Sequence, residues 1–524
     1  MKSRIFKFLN FQIFLIGILA YWHIDNLHAA EKVPIYLEHS ETLSFDNEAL
    51  PDCEVLEGNV IFRHENTRLY CDRANFYEKQ NMVDALGNVH IVQGDSLHIY
   101  GEFLHYDGNT KMGRIKGKVS VEQNNSILET DSLDFNLNSN MGFYQTGGKI
   151  FDNENLLSST RGELYFKQDL CVFSGDVQLI GKEMLLKTDM LHYNTKLKIA
   201  YFVAPTAIIY AEKTIIYTEN GWYNTITEDA LLTQRASIEH NDGKHLKADS
   251  IFYYKKDSTA IALRNIRLVD TVQQMTVCGH YGKFEQNGNR GLVRDSAFVI
   301  EHSTPDSLFL HADTLKTQGD STYQLVRGIG NVRFFRIDLQ GRCDSITYHS
   351  SDSILKMYEN PVIWSDSTQL CGEFIQLFQK NQKIDMILVT GWALGVSQSD
   401  STRFNQVQGK LMRAYMKNNQ LDRVEVEGNA ITIYYPKDDD GEVIGINRAE
   451  SSNLTAYVKD KKMDKIVMKP ASSGTLYPEE QIPEDQQQVT RFVWHEEIRP
   501  KNKADIFTRY DSYNPSNKKK IVGK

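Results

Sequence analysis

Hydrophobic and polar residues alternate over short stretches of this chain, and the stretches recur about every thirty residues. In Gly58-Asn59-Val60-Ile61-Phe62-Arg63, Val60 and Phe62 fall on one face of an extended strand, with Asn59, Ile61 and Arg63 on the other. The same phase returns in Val89 and Ile91 around His90, in Val119 and Val121 around Ser120, and in Val177 and Leu179 around Gln178. A second kind of stretch, typified by Ser-Ile-Leu-Glu-Thr-Asp-Ser-Leu-Asp-Phe at 126–135, ends on an apolar pair: Ala74/Phe76, Leu104/Tyr106, Leu133/Phe135 and Leu191/Tyr193. Period-two alternation of this kind predicts half-buried antiparallel strands. No stretch after residue 30 repeats at helical spacing, so the chain is expected to be all-β.

The regularity of the period says more than any single strand. The aromatic at the end of the second stretch can be followed through Phe76, Tyr106, Phe135, Tyr165, Tyr193, Tyr223, Tyr253 and Phe284, at steps of 28 to 31 residues. Only the copy near Asp313 and Leu315 lacks it. A constant step means one supersecondary unit stacked on itself, so length does not count domains here. Gly58-Asn59, Gly87-Asn88, Gly175-Asp176 and Gly330-Asn331 tolerate positive φ and are read as the points where one pass reverses into the next. Beyond Phe378 the spacing loosens. The expected organisation is a signal peptide or N-terminal anchor over 1–30, a repeat body over 31–466, and over 467–524 a linker, a short docking segment around Phe492-Val493-Trp494 and a basic tail ending in Lys518-Lys519-Lys520.

Lys2, Arg4 and Lys7, the apolar run Phe11 to Trp22 and His28-Ala29-Ala30 form the pattern of an export signal. Export permits disulfides, and there are 6 cysteines. Cys71, Cys278, Cys343 and Cys371 recur at nearly one phase, which in a two-pass repeat sets them about 9–10 Å apart, too far to bridge. They read as small buried apolar residues. A net charge of -9 argues against nucleic acid as a partner.

Catalytic signatures are missing from the sequence: it has no Gly-x-Ser-x-Gly elbow, P-loop or His-Glu-x-x-His. The recurring Asp72, Asp131, Asp189, Asp249, Asp313 and Asp344 sit near strand starts and fit turn hydrogen bonding better than a metal ladder. No enzyme activity, metal or cofactor is expected. What remains is the apolar stripe, which pattern alone leaves open between a dry packed core and a groove sheltering an apolar ligand.

Gly-Asn-Val-x-Ile at 87–91 and Gly-Asp-Val-Gln-Leu at 175–179, alternating with Leu-Lys-Thr-Asp-Met-Leu-His-Tyr at 186–193 behind an export signal, resemble the OstA/LptA family of lipopolysaccharide-transport proteins. The resemblance holds in phase over 36–466 and is clearest over 55–200. It implies an elongated, stacked antiparallel β-jellyroll, here of about thirteen rungs of ~30 residues, with an open apolar groove. It also implies a periplasmic protein, associated with the outer or inner membrane of a Gram-negative bacterium, that bridges the two membranes for outer-membrane assembly. By the same resemblance Val60, Phe62, Phe76, Val89, Ile91, Leu104, Tyr106, Val119, Val121, Leu133, Phe135, Val177, Leu179, Leu191 and Tyr193 line the groove and hold lipopolysaccharide acyl chains. Unpaired strand edges at the ends of such a stack would join it to other jellyroll components of the bridge. The alternative is a structural or adhesive exported β-repeat protein with a solid core.

Overall fold

The computed structural model describes residues 33–509, apart from 47, 49, 124, 287, 303–305, 320–323, 381–382, 418–419, 439, 460–461 and 479–480. The expected signal or anchor and the basic tail lie outside the described residues. Antiparallel strands make up nearly all the rest, from Tyr36–His39 to Ser473–Tyr477, with short 3-10 turns such as Glu78–Gln80. Among the described residues no helix is long and apolar enough to cross a membrane. The chain divides into two compact units, Met1–Gln123 with Ile127–Tyr144, and Asn124–Ser126 with Gln145–Lys524.

In the first unit, strands Glu54–His64, Thr67–Tyr77, Met82–Gln93, Leu97–Asp107 and Met112–Gln123 pair each with the next. Each is bent into two arms, and the cause of the bend differs from the sequence expectation. Gly58-Asn59 and Gly87-Asn88 do not reverse the chain: they lie in mid-strand, both residues of each pair at positive φ, as two-residue β-bulges. Two residues of the bulged strand oppose one acid on its neighbour, and the extra residue turns the sheet through a corner. Asn88 Nδ2 donates to Asp72 Oδ2 at 2.8 Å and Asn59 Nδ2 to Glu41 Oε1 at 2.7 Å. A Cβ on Gly87 would lie 2.5 Å from Asp72 Oδ2, so glycine is what lets the acid lie over the bulge. That is the role of the recurring Asp. On strand Thr67–Tyr77 the inward phase changes across the exposed Asp72 and Arg73, from Leu69 and Cys71 to Ala74 and Phe76, so both arms face one interior.

The second unit repeats this plan, with bulges at Gly175-Asp176 and Gly330-Asn331 and with many strands split in two at the corner, as between Phe202 and Thr206 and between Arg294 and Phe298. The six cysteines are free and buried. They do not share one face. Cys71 and Cys343 precede the corner acids Asp72 and Asp344 and point inward. Cys371 lies two residues before its corner acid and contributes to a separate cluster with Trp364, Leu394 and Val396 on the outer face, whereas Ile363 and Ala393 turn inward from the same strands as these.

That outer cluster is covered by residues 482–507, which run back over the last strands. One outward register row, Gln340, Trp364, Gln369, Val396, Gln406 and Ile433, alternates amide and apolar side chains on successive strands. The amides hold the covering segment: His495 N donates to Gln369 Oε1 at 2.8 Å, Gln369 Nε2 to Val493 O at 2.9 Å, Val489 N to Gln406 Oε1 at 3.0 Å, and Arg499 Nη2 to Gln340 Oε1 at 2.6 Å. Ile482, Val489 and Ile498 fill the spaces between.

His495 is buried under this strap, and burial, reinforced by the nearby Arg342 charge, pushes its pKa down to about 4. A released strap would carry a histidine titrating near 6.5. Above that pH both states are neutral. As pH falls from about 6.5 towards 4 only the released strap takes up the proton, so docking weakens by up to ~1.4 kcal/mol per pH unit. Amide exchange over 489–499, corrected for intrinsic rates, is expected to speed up severalfold or more between pH 7 and pH 5, and the His495→Gln chain is expected to lose that dependence.

Candidate ligand-binding interior

The interior is built from two register rows. In the second unit one arm contributes Ile150, Leu157, Leu179, Leu186, Ile208, Ile216 and Ile238 on successive strands, continuing through Leu246, Leu268, Val277, Val299, Leu310 and Phe334. The other arm carries a row in which large and small residues alternate: Tyr193, Ala200, Tyr223, Ala230, Tyr253, Ala260, Phe284, Gly291. Strands ~4.8 Å apart leave no width for a ring on every one, so each ring lies over the small side chain next to it. The first unit does the same with Phe135 over Gly113, where an added Cβ would meet the ring at 2.3 Å.

Each residue expected to line a groove is buried in the interior of its own unit, and none is more than 6% exposed. Around Phe62, Ile91, Leu104, Tyr106 and Phe135 the free space is about 20 Å³, room for one water. Here the rows are packed against each other.

The tips of the two arms are also tied together. In the first unit His64 Nδ1 lies 2.7 Å from Tyr106 Oη, and His64 Nε2 lies 3.1 Å from Val33 O. A neutral ring accepting from the tyrosine and donating to Val33 satisfies both contacts, consistent with burial lowering the His64 pKa. Ile35, 5% exposed, closes the gap beside this latch, its N–H donating to Asn81 Oδ1 at 2.8 Å. In the second unit Tyr193 Oη donates to Asp152 Oδ2 at 2.6 Å, and Lys198 Nζ lies 2.8 Å from both carboxylate oxygens. Asp152 is 2% exposed. Further along, Lys255 Nζ donates to Tyr210 Oη at 2.6 Å and pairs with Glu228 at 2.7 Å.

Past that latch the interior loosens. Val277, Val299 and Leu310 on one arm, and Phe284, Val326, Tyr348 and Leu355 on the other, are half-buried, while Thr317 is exposed. The aromatic row is interrupted here: between Phe284 and Tyr348 it reads Gly291, Thr317, Val326. Sequence reasoning did not place this opening among the candidate residues. Its signal was present, as the one copy of the repeat without an aromatic. Among the described residues no group of three or more His, Cys, Asp or Glu is set to hold a metal ion.

The comparisons with known proteins bear on this geometry. A family model described as OstA-like protein matches residues 32–189 and 168–242. No curated protein matches the chain. One similar solved structure is LptH of Pseudomonas aeruginosa, described as the LptA homologous periplasmic component of the conserved lipopolysaccharide transport device; it is 13% identical and covers 25% of this chain and 95% of its own, with a TM-score of 0.19. An overlap that low in score carries no weight for the arrangement of the arms. The repeat phase, the bulged two-arm strands and the match to the OstA-like family model coincide over one stretch, residues 32 to 242.

Proposed function

We propose that this protein is a periplasmic lipopolysaccharide carrier that shelters acyl chains between its two arms and joins partner jellyrolls through unpaired strand edges, as part of a bridge between the membranes. The single observation that carries the proposal is the apolar stretch of interior from Val277 to Leu355, where two rows of aliphatic and aromatic side chains at the edge of the core are only half-buried. Each methylene buried there is worth about 0.8 kcal/mol, so several acyl chains need no charged contact to be held. The rows from Val60 to Phe135 in the first unit and from Val177 to Tyr193 in the second would each have to part a latch before being loaded. No catalytic step is assigned.

A solid-core structural repeat is the second reading, and the tight packing around Phe62 and Tyr106 is the observation that favours it. Photocrosslinking in cells separates the two. With the probe at Phe284, Val326 and Tyr193, lipopolysaccharide adducts are expected, strongest at the first two and absent at the outward control Lys247. A correctly exported and folded protein giving no adduct at any of the three inward sites would leave the solid-core reading standing.

A further inference from the structure

The opening described above has a basic outer lip. Lys283, Leu292, Lys316 and Arg327 stand opposite one another on four successive strands, one register row from the inward Phe284, Gly291, Thr317 and Val326. Lys316 and Arg327 are direct cross-strand partners, both exposed. Like charges so placed repel each other. Lys283 has a carboxylate, Glu285, at 2.5 Å; among the described residues neither Lys316 nor Arg327 makes an ion pair. These side chains, with Arg290 of the neighbouring row, surround a groove of about 270 Å³ that holds four cations and one carboxylate, in a chain whose net charge is -9. Gly291 and Thr317, which break the aromatic row inside, lie in the same groove.

We propose that this lip is a binding site for phosphoryl groups, and that it holds the phosphorylated headgroup of an amphiphile whose acyl chains enter the gap beside it. The inference rests on the carrier function proposed above and adds to it the place where the polar end is held. An amphiphile cannot separate its headgroup from its chains by more than its own length. The four cations lie on the outer face of the same arm, a few residues from the tip where Glu285 turns into Arg290, so a molecule whose tails lie against Phe284 and Val326 meets them with its phosphates where it bends over that tip. Lysine and arginine suit this role: the ammonium and guanidinium reach past the strand, and the guanidinium pairs two phosphate oxygens at once.

The test uses the full chain and its K316Q/R327Q variant, whose changes fall on exposed side chains. Three probes are compared: the bisphosphorylated, acylated disaccharide of lipopolysaccharide in detergent, its dephosphorylated counterpart, and inorganic pyrophosphate. The variant is expected to bind the phosphorylated lipid at least about tenfold more weakly, with reduced salt dependence, and to bind the dephosphorylated lipid as the parent does. Equal affinity of the parent and variant for the phosphorylated lipid overturns the proposal, as does an equal loss for both lipids. Pyrophosphate binding as tightly as the lipid would assign the groove to a free anion and overturn the lipid part. If the parent binds neither lipid, the carrier function itself fails; pyrophosphate binding lost in the variant would then leave an anion site, and its absence would remove that too.

Discussion

Val89→Asp is expected to melt the strands around it, whereas Val326→Asp is expected to leave the fold standing and abolish ligand loading. The two valines lie on inward rows of their units, and burial decides the difference. Val89 is 1% exposed, so its replacement strands a carboxyl group among apolar neighbours. Such burials cost several kcal/mol. Val326 is half-buried beside the exposed Thr317, where a carboxylate stays hydrated. Its change should cost at most about 1 kcal/mol of stability while placing a charge where acyl chains are proposed to lie. Protease resistance of the purified chains checks the first half. The yield of lipopolysaccharide adducts from a probe at Phe284, expected to fall by at least about tenfold in Val326→Asp, checks the second.

Asp152→Ala should be the most damaging single change at the latches. It removes the acceptor for Tyr193 and leaves the Lys198 ammonium, whose side chain is only 15% exposed, without its partner. Breaking a buried pair from one side typically costs about 3–5 kcal/mol, while replacing both charged members with apolar residues is often close to neutral. The expected result is faster amide exchange over Gly148–Asp152 and Met184–Asn194 in Asp152→Ala, with a lowered melting temperature, and substantial recovery of both in Asp152→Leu/Lys198→Met. If the single variant melts as the parent does, the latch is ornamental.

Much of the fold was legible because a strand buries every second residue, and a period of two can be read from one sequence. Val60, Phe62, Leu133 and Phe135 were placed inward by that rule, and inward they are. Gly-Asn was misread because a hairpin and a β-bulge both demand positive φ in sequence. The discriminating sign is that Leu56, Val60 and Phe62 keep one phase across Gly58-Asn59, as a strand that continues must. The small partner of several of the aromatics was also in plain text, seven residues on, as in Tyr193 and Ala200 or Tyr223 and Ala230. Local periodicity could not reveal its meaning, because opposition across strands is set by pairing register. A docking segment around Phe492-Val493-Trp494 could be suspected from the sequence, but the surface it covers could not, for a stronger reason. Gln340, Gln369 and Gln406 look like solvent-facing amides until a segment some 80 to 160 residues away closes over them.

That strap also limits how the protein can vary in length. Stacked repeats gain or lose copies easily, because each touches only its neighbours. Between the strand holding Gln340 and the one holding Gln406, however, residues 489–499 are pinned at fixed intervals, so a rung inserted or deleted there would leave the segment too short or slack. Its end reaches further back, to Phe298, His311 and Asp313, through Phe507 and Arg509. Relatives of different lengths should therefore differ elsewhere in the array, and an engineered copy of the thirty-residue unit should be rejected after Trp364.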